Sequence, residues 1–261
     1  MHRTEPKVFL IGESIINFTG LSNYLKFIGV PEWSSDAGSH AEKLTEIYSR
    51  SCYNSFSVDQ NPNITRIREG NEPHLKNIIK VGHGSVMEHA WTNWMFCKVS
   101  RVFTHEVVRH RVGTAFSQES LRFVRLTNLG LWLPPEYEAD PKIKELFEKK
   151  FESDEQFQLD LANAFDLDNP EMKFSEKKKH TSFMRRGAPI GLSTNIGMSM
   201  NHRTLRHLLI MRTNRHAEVE IRKVFAEVGR IAKERWKNLY ADFRTEMVDG
   251  YEEFTTDYIK I

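Results

Sequence analysis

The sequence predicts an α+β fold, a single domain in which long helices accompany a small mixed or antiparallel sheet. Three observations carry that expectation. Short β-forming runs stand at 7–14, at 88–100 and within 185–201. The stretches 40–53 and 202–239 instead repeat their apolar residues at helical spacing. No Gly-x-Gly-x-x-Gly occurs anywhere in the chain, which argues against a Rossmann-type dinucleotide fold.

Taken in order, KVFLIGES (7–14) is a short apolar run closed by Gly and reads as a strand. HAEKLTEIYSRSCY (40–53) reads as a helix, and the polar, Pro-containing stretch 54–66 as a loop. PHLKNIIKVGHGS (73–85) reads as a helix stopped by Gly82. Aromatics and β-formers make 88–100 a strand. In 100–111, helical spacing puts Val102, Phe103, Val107 and His110 on one face. The segment from Asp140 to Lys179 alternates charge runs with Phe and reads as amphipathic helices on the outside of the domain. RRGAPIGLSTNIGMSMN supplies turns and a Thr/Ile/Met strand, and one long helix is expected from His202 to Leu239. No internal repeat or low-complexity linker divides residues 1–261, so one domain is the simplest organisation.

The bulk composition excludes several classes. With 37 Lys+Arg against 35 Asp+Glu the net charge is +2, so the chain is not a polycation built to coat nucleic acid, and any anion site must be local. An apolar fraction of 39% suits a packed core rather than disorder. No stretch approaches the roughly 20 apolar residues of a membrane span, and the N-terminal apolar run is too short for a signal peptide. The only cysteines, Cys52 and Cys97, form no CxxC, so neither a disulfide framework nor a thiolate zinc site is expected. A reduced cytoplasm is the expected location.

The chemistry concentrates in RHRVGTAFSQESLR (109–122). Arg109, Arg111, Arg122 and Arg125 are too many cations for one capped helix end. Gly113, Thr114 and Ala115, followed by Ser117, Gln118 and Ser120, read as a tight polar loop with free backbone amides, which suits a nucleotide phosphate. In the last helix, Asn201, Leu205, Leu208, Arg212, His216 and Val219 fall on one stripe, placing Arg212 and His216 on the buried face. A guanidinium there needs either an internal carboxylate or an exogenous anion such as a phosphate, and both readings stand. Arg203, Arg206 and His207 lie on other faces and read as solvated. GHGSVMEH (82–89) lacks both a metal-binding His spacing and the Lys of a P-loop; no metal site is expected. Cys97, among aromatics in a strand, reads as an inert core thiol.

These blocks together resemble the flavin-dependent thymidylate synthases. That family carries Arg-His-Arg, a spacer of usually seven residues, then Ser-x-Arg. Here Arg109-His110-Arg111 and Ser120-Leu121-Arg122 are separated by eight. GHGSVMEH is similar to the family's Gly-His-x-Thr/Ser-x-x-Glu-His segment. NHRTLRHLLIMRTNRHAEVEI is similar to its Asn-x-Arg helix with the later Arg and His, Arg185 stands sixteen residues before Asn201, and SRSCY resembles an early Ala-Arg-x-Ser/Cys-Tyr segment. The resemblance covers roughly 40–125 and 183–240. It leaves a family-atypical N-terminal extension (about 1–39) and the charged helical segment (about 140–180) outside.

The resemblance implies FAD contacts from Cys52, Ser85, Glu88, Arg109, His110, Arg111, Asn201, Arg203, His207 and His216. It implies a deoxyuridine monophosphate (dUMP) site from Glu106, Gln118, Ser120, Arg122, Arg185 and Arg212. His207 stands where many members have Asn, and Glu106 where Gln is common. The implied reaction methylates dUMP to dTMP, with methylenetetrahydrofolate as one-carbon donor and NADPH-reduced FAD as hydride source, in a homotetramer with shared active sites. Ser120 is expected to position substrate rather than attack it: His110, its only nearby base in sequence, stands between two guanidiniums that disfavour it as a proton acceptor. The competing reading is a non-catalytic nucleic-acid-binding protein using the same arginines.

Overall fold

The computed structural model describes residues 1–260. In chain order the elements are β1 (His2–Arg3), β2 (Lys7–Glu13), α1 (Phe18–Phe27), α2 (His40–Tyr53), α3 (Asn71–Lys80), β3 (Trp91–Ser100), α4 (Arg101–Val107) and β4 (Thr114–Gln118). They continue with β5 (Gly130–Leu131), α5 (Pro135–Glu138), α6 (Pro141–Ala164), α7 (Phe174–Met184), β6 (Ser193–Asn201), α8 (His202–Arg212), α9 (Val219–Arg235), β7 (Arg244–Val248) and β8 (Tyr251–Thr255). The main sheet runs in the order β2-β3-β6-β4. β1 pairs in parallel with β5, and β7 with β8 as an antiparallel hairpin whose two turn residues, Asp249 and Gly250, both have positive φ as a type I′ turn requires.

The chain forms two compact units. The first comprises Met1–Phe9, Met95–His110 and Phe116–Met198; the second comprises Leu10–Trp94, Arg111–Ala115 and the chain from Ser199 on. In the first, Leu121, Leu129, Leu131, Leu133, Phe151 and Leu192 make a buried cluster. Full burial of each such side chain is worth about 1.5–3 kcal/mol. α6 contributes Phe151 to it and exposes Lys142, Glu145, Lys149, Lys150 and Glu152, while Glu155 turns inward to accept the Leu129 amide at 2.7 Å and the N-terminal ammonium at 2.9 Å. α6 begins where Asp140 accepts hydrogen bonds from the Lys142 and Ile143 amides.

In the second unit α2 starts at a Ser39 cap and ends at Asn54, whose left-handed φ of 46° stops the helix. Its inner face carries ionic groups: Glu46 and Arg50 pair at 2.7 Å while 2% and 4% exposed, and Asn71 of α3 donates to Glu46 at 2.8 Å. α9 buries Ile221, Val224, Phe225 and Val228. At Gly229 a Cβ would overlap the Phe254 ring of β8, so only glycine permits that approach.

Two expectations need correction. The helix expected over 202–239 is two helices, broken between Arg212 and Val219. Thr213 turns its hydroxyl back to the Leu209 carbonyl (2.6 Å) and accepts from the Phe254 amide, while Asn214 reaches Glu253. Glu218 then caps α9 through the Glu220 and Ile221 amides. Second, the stretch expected as a tight polar loop with free amides is β4, an edge strand of the main sheet. Its alternating half-buried and exposed residues fit one packed face, and the Glu119 amide that follows donates to the Asn195 carbonyl at 2.9 Å.

Candidate active site

Within the first unit, α4 begins at Ser100, whose side chain accepts the Phe103 amide, and buries Phe103 and Val107 while Val102 and His110 are half-buried. The helix ends before the Arg-His-Arg triplet, leaving Arg109 exposed. Gln118, at the end of β4, donates to Thr104 of α4 at 3.1 Å, which ties the strand to the helix that carries half-buried Glu106. The Ser120–Arg122 turn is held at both ends. The Arg122 amide donates to Ser120 Oγ (3.3 Å), Thr181 of α7 donates to the Arg122 carbonyl (2.7 Å), and Leu121 is buried between them. Arg122 itself points to solvent.

Arg185, in the turn after α7, lines a cavity of about 430 Å³ together with Arg101, His105 and Arg186. Arg101 escaped the sequence reading. A signal was available: it occupies the first position of α4, where the helix dipole disfavours a cation. Burial pushes its guanidinium below the ordinary arginine value; Glu119 opposes that shift and Arg185 reinforces it.

Within the second unit, Asn201 caps α8 by accepting the Thr204 amide at 2.9 Å. Its own amide donates to the Gly113 carbonyl (3.2 Å), and Thr204 donates to the Val112 carbonyl (3.0 Å). These bonds fasten the chain after Arg111 onto the start of α8. Gly113 has φ +67°, and a Cβ there would run into Asn201 and Thr204. Arg203 leaves the first turn of α8 and pairs with Glu88 at 2.5 Å; both are partly exposed. Ser85 and Glu88 lie in the short 3-10 helix Gly84–His89, where His89 stacks on Tyr48 at 3.7 Å between centroids. His207 is exposed one turn after Arg203.

The predicted stripe is only partly correct. Leu205 and Leu208 are fully buried, but Arg212 is half-buried, and His216 is exposed because the helix has already ended. Arg206, expected to be solvated, is the buried arginine: it is 1% exposed and forked onto Asp242 at 2.8 and 2.6 Å. The buried face of α8 includes the row His202, Arg206 and Leu209 beside the predicted one. Cys52 is exposed on α2. Cys97 is half-buried rather than fully in the core, and burial raises its thiol above the ordinary value.

The donor set suits two anionic nucleotides. Arg109, Arg111, Arg122 and Arg185 are all exposed and form no ion pair among the described residues, whereas nearby Arg125 pairs with Asp168 at 2.9 Å. In the second unit Arg111, Ser85 and His207 offer exposed donors, Arg203 is partly exposed and already paired with Glu88, and close backbone packing at Gly113 brings the chain after Arg111 to the start of α8. Guanidiniums and short donors of this kind fit the pyrophosphate of a dinucleotide such as FAD.

Comparison with known proteins agrees. The Thymidylate synthase complementing protein family matches residues 36–236. A flavin-dependent thymidylate synthase from Corynebacterium glutamicum is 34% identical over 231 residues, 87% of this chain and 90% of the relative. One from Mycolicibacterium gilvum is 33% identical over 228 residues, 86% of this chain and 88% of the relative. Among solved structures, Thymidylate Synthase X from Helicobacter pylori, crystallised with FAD and dUMP, aligns with a TM-score of 0.54 at 16% identity, covering 90% of this chain and 99% of that one. The UMP/dUMP methylase PolB from Streptomyces cacaoi, bound to 5-Br dUMP, aligns with a TM-score of 0.64 at 14% identity, covering 92% and 95%. At those identities the structures bear on the fold, which is α+β and not Rossmann-type. The sequence matches go further: this chain belongs to the flavin-dependent thymidylate synthase family.

Proposed function

We propose that the protein methylates dUMP to dTMP, with methylenetetrahydrofolate as one-carbon donor and NADPH as reductant. FAD, when bound, supplies the hydride that completes the methyl group. The protein's own share is orientation and electrostatics. On this reading Arg111, Asn201, Arg203, His207, His216, Ser85, Glu88 and Cys52, with Arg109 and His110, hold the flavin. Glu106, Gln118, Ser120, Arg122, Arg185 and Arg212 hold dUMP. Arg212 and Ser120 are the residues assigned to the uracil: the guanidinium stabilises negative charge on the ring, and the hydroxyl positions it by hydrogen bonding. The working form on this reading is a cytoplasmic homotetramer whose active sites draw on more than one copy.

The observation that carries this reading is that Arg109, Arg111, Arg122 and Arg185 are exposed and form no ion pair among the described residues, in a chain whose net charge is only +2. Guanidiniums without an internal carboxylate, gathered in this number, suit an anionic ligand. The test is direct. Protein reconstituted with FAD is freed of excess flavin, then incubated with dUMP, methylenetetrahydrofolate and NADPH, and the nucleotides are separated by chromatography. Retained flavin absorbance that NADPH bleaches, together with new thymidylate, is expected. A protein that retains no flavin, or forms no thymidylate when loaded, would overturn the reading.

A further inference from the structure

Arg101 lies where two features of the first unit meet. On one side its Nη2 donates to the Glu119 carbonyl at 3.2 Å. Glu119 is otherwise held by Asn195 of β6: its amide donates to the Asn195 carbonyl at 2.9 Å, and its carboxylate accepts from Asn195 Nδ2 at 2.7 Å. Asn195 Oδ1 in turn accepts the amide of Lys98 (3.1 Å), a residue at φ +57° within β3. This left-handed backbone is uncommon for lysine, so the local chain is shaped to make the contact. Glu119 immediately precedes Ser120 and is fixed through its amide, carbonyl and carboxylate.

On its other side Arg101 borders the 430 Å³ cavity with His105, Arg185 and Arg186. Its Nε is buried and has no hydrogen-bond partner. None of the three arginines forms an ion pair among the described residues, and the nearest carboxylate in the network, that of Glu119, is engaged by Asn195. Arg185 and Arg186 are exposed, whereas Arg101 is half-buried with its Nε unpartnered, so three guanidiniums border one cavity and the innermost still lacks an acceptor. A phosphate dianion supplies both the charge and the acceptor oxygens.

We propose that Arg101 is a further ligand of the substrate's phosphate, and that through the Glu119 carbonyl it couples the occupied cavity to the loop bearing Ser120. This rests on the thymidylate synthase reading, which assigns Arg185 of the same cavity to dUMP. The anion part stands without that reading, because the cavity's charge is a property of its arginines.

The test compares ligands with and without the phosphate. FAD-loaded wild-type, Arg101→Ala and Arg101→Lys proteins are titrated calorimetrically with dUMP, deoxyuridine and pyrophosphate. Arg101→Ala should weaken dUMP by at least about tenfold and deoxyuridine by less than about threefold. Arg101→Lys keeps the charge but not the fork that reaches both the carbonyl and the cavity, and should fall between. Unchanged dUMP affinity, or an equal loss for dUMP and deoxyuridine, overturns the proposal. If Arg101→Ala does not fold, Arg101→Gln and Arg101→Lys carry the same comparison. If the wild type binds neither nucleotide, the enzyme reading fails by itself. Pyrophosphate then decides the anion site, which is upheld by weaker binding to the Arg101 variants and rejected by equal binding.

Discussion

Beneath α8 in the second unit, Arg206 is 1% exposed, its two terminal nitrogens meet the two oxygens of Asp242, and its Nη1 also donates to the Leu239 carbonyl at 2.5 Å. The Phe243 ring lies 4.7 Å from its guanidinium carbon. Beside α4 in the first unit, Arg101 has a carbonyl on one side, an open cavity on the other and no carboxylate partner. The fold completes one guanidinium itself; the other, on our proposal, is completed by a ligand. Both are bidentate donors of the same charge, so the residue type does not separate a structural arginine from a functional one. The counter-charge does. Variants at these two kinds of position should therefore divide cleanly into losses of stability and losses of binding.

The largest effect is expected at the completed site. Arg206→Ala leaves Asp242 buried without its counter-ion and should destabilise the fold by about 3–5 kcal/mol, measured by urea unfolding. Acid should act on the same region. Burial alone would raise the Asp242 carboxyl, but hydrogen bonds from Arg206 and Thr256 hold it below the usual aspartate range. A depressed folded value means that this contribution is complete above the unfolded pKa and is lost as pH falls through the folded one. Neighbouring His202 is fully buried, and burial takes it from 6.5 to about 3, with Glu13 opposing and Arg206 assisting. The unfolded chain therefore binds a proton that the folded chain refuses between those values. Stability should drop as pH falls below 6.5, by up to about 1.4 kcal/mol per pH unit for this group. A His202→Gln variant should show a shallower slope, and an unchanged slope would remove His202 from the account.

Arg212→Ala tests the opposite case. If Arg212 serves the substrate, dUMP binding should weaken by about 2–5 kcal/mol while flavin content and unfolding midpoint change little. A loss confined to stability would place Arg212 with Arg206 and decide between the two readings its sequence position allowed.

What the sequence made legible follows the same division. Strands β2, β3 and β6 and helices α2 and α3 were readable because local periodicity and end signals agree with the burial they adopt. The break between α8 and α9 was not, because the groups that stop the helix, Thr213 and Asn214, are satisfied by Phe254 and Glu253 some forty residues later. β4 was obscured by its small and polar residues, which carry little strand preference until β6 lies alongside. Arg206 was misplaced because a single apolar stripe understates a helix buried across adjacent rows. The family motifs named candidate ligands, yet Arg101 stands outside them; its place at the unfavourable start of α4 was the one local signal, and the cavity and its unpartnered Nε made it visible.

A smaller effect is expected at Ser120, which lies in the loop anchored by Asn195 and Thr181. A positioning hydroxyl should cost about 1–3 kcal/mol in dUMP binding or turnover when replaced by alanine, with thymidylate still formed. Trapping a substrate adduct on Ser120, together with zero turnover in the alanine variant, would reverse that role.

The smallest effect separates the guanidinium cavity from thiol chemistry in the same unit. Cys97 lies on β3 beside Lys98, the residue whose amide Asn195 holds, so proximity alone makes it a candidate nucleophile. A nucleophilic cysteine needs its thiolate stabilised by positive charge. Here burial raises the Cys97 thiol, Lys98 only partly opposes it, and Glu119 raises it further. The sulfur is therefore held as the neutral thiol at neutral pH, the form least suited to attack a uracil ring. Cys52 is exposed on α2, and serine should replace it with a stability change within about 0.5 kcal/mol. The Cys52→Ser, Cys97→Ser double variant should fold, take up FAD and form thymidylate at a rate close to wild type. A folded, flavin-loaded double variant with no turnover would show that a thiol, rather than the arginine-lined site, carries the chemistry.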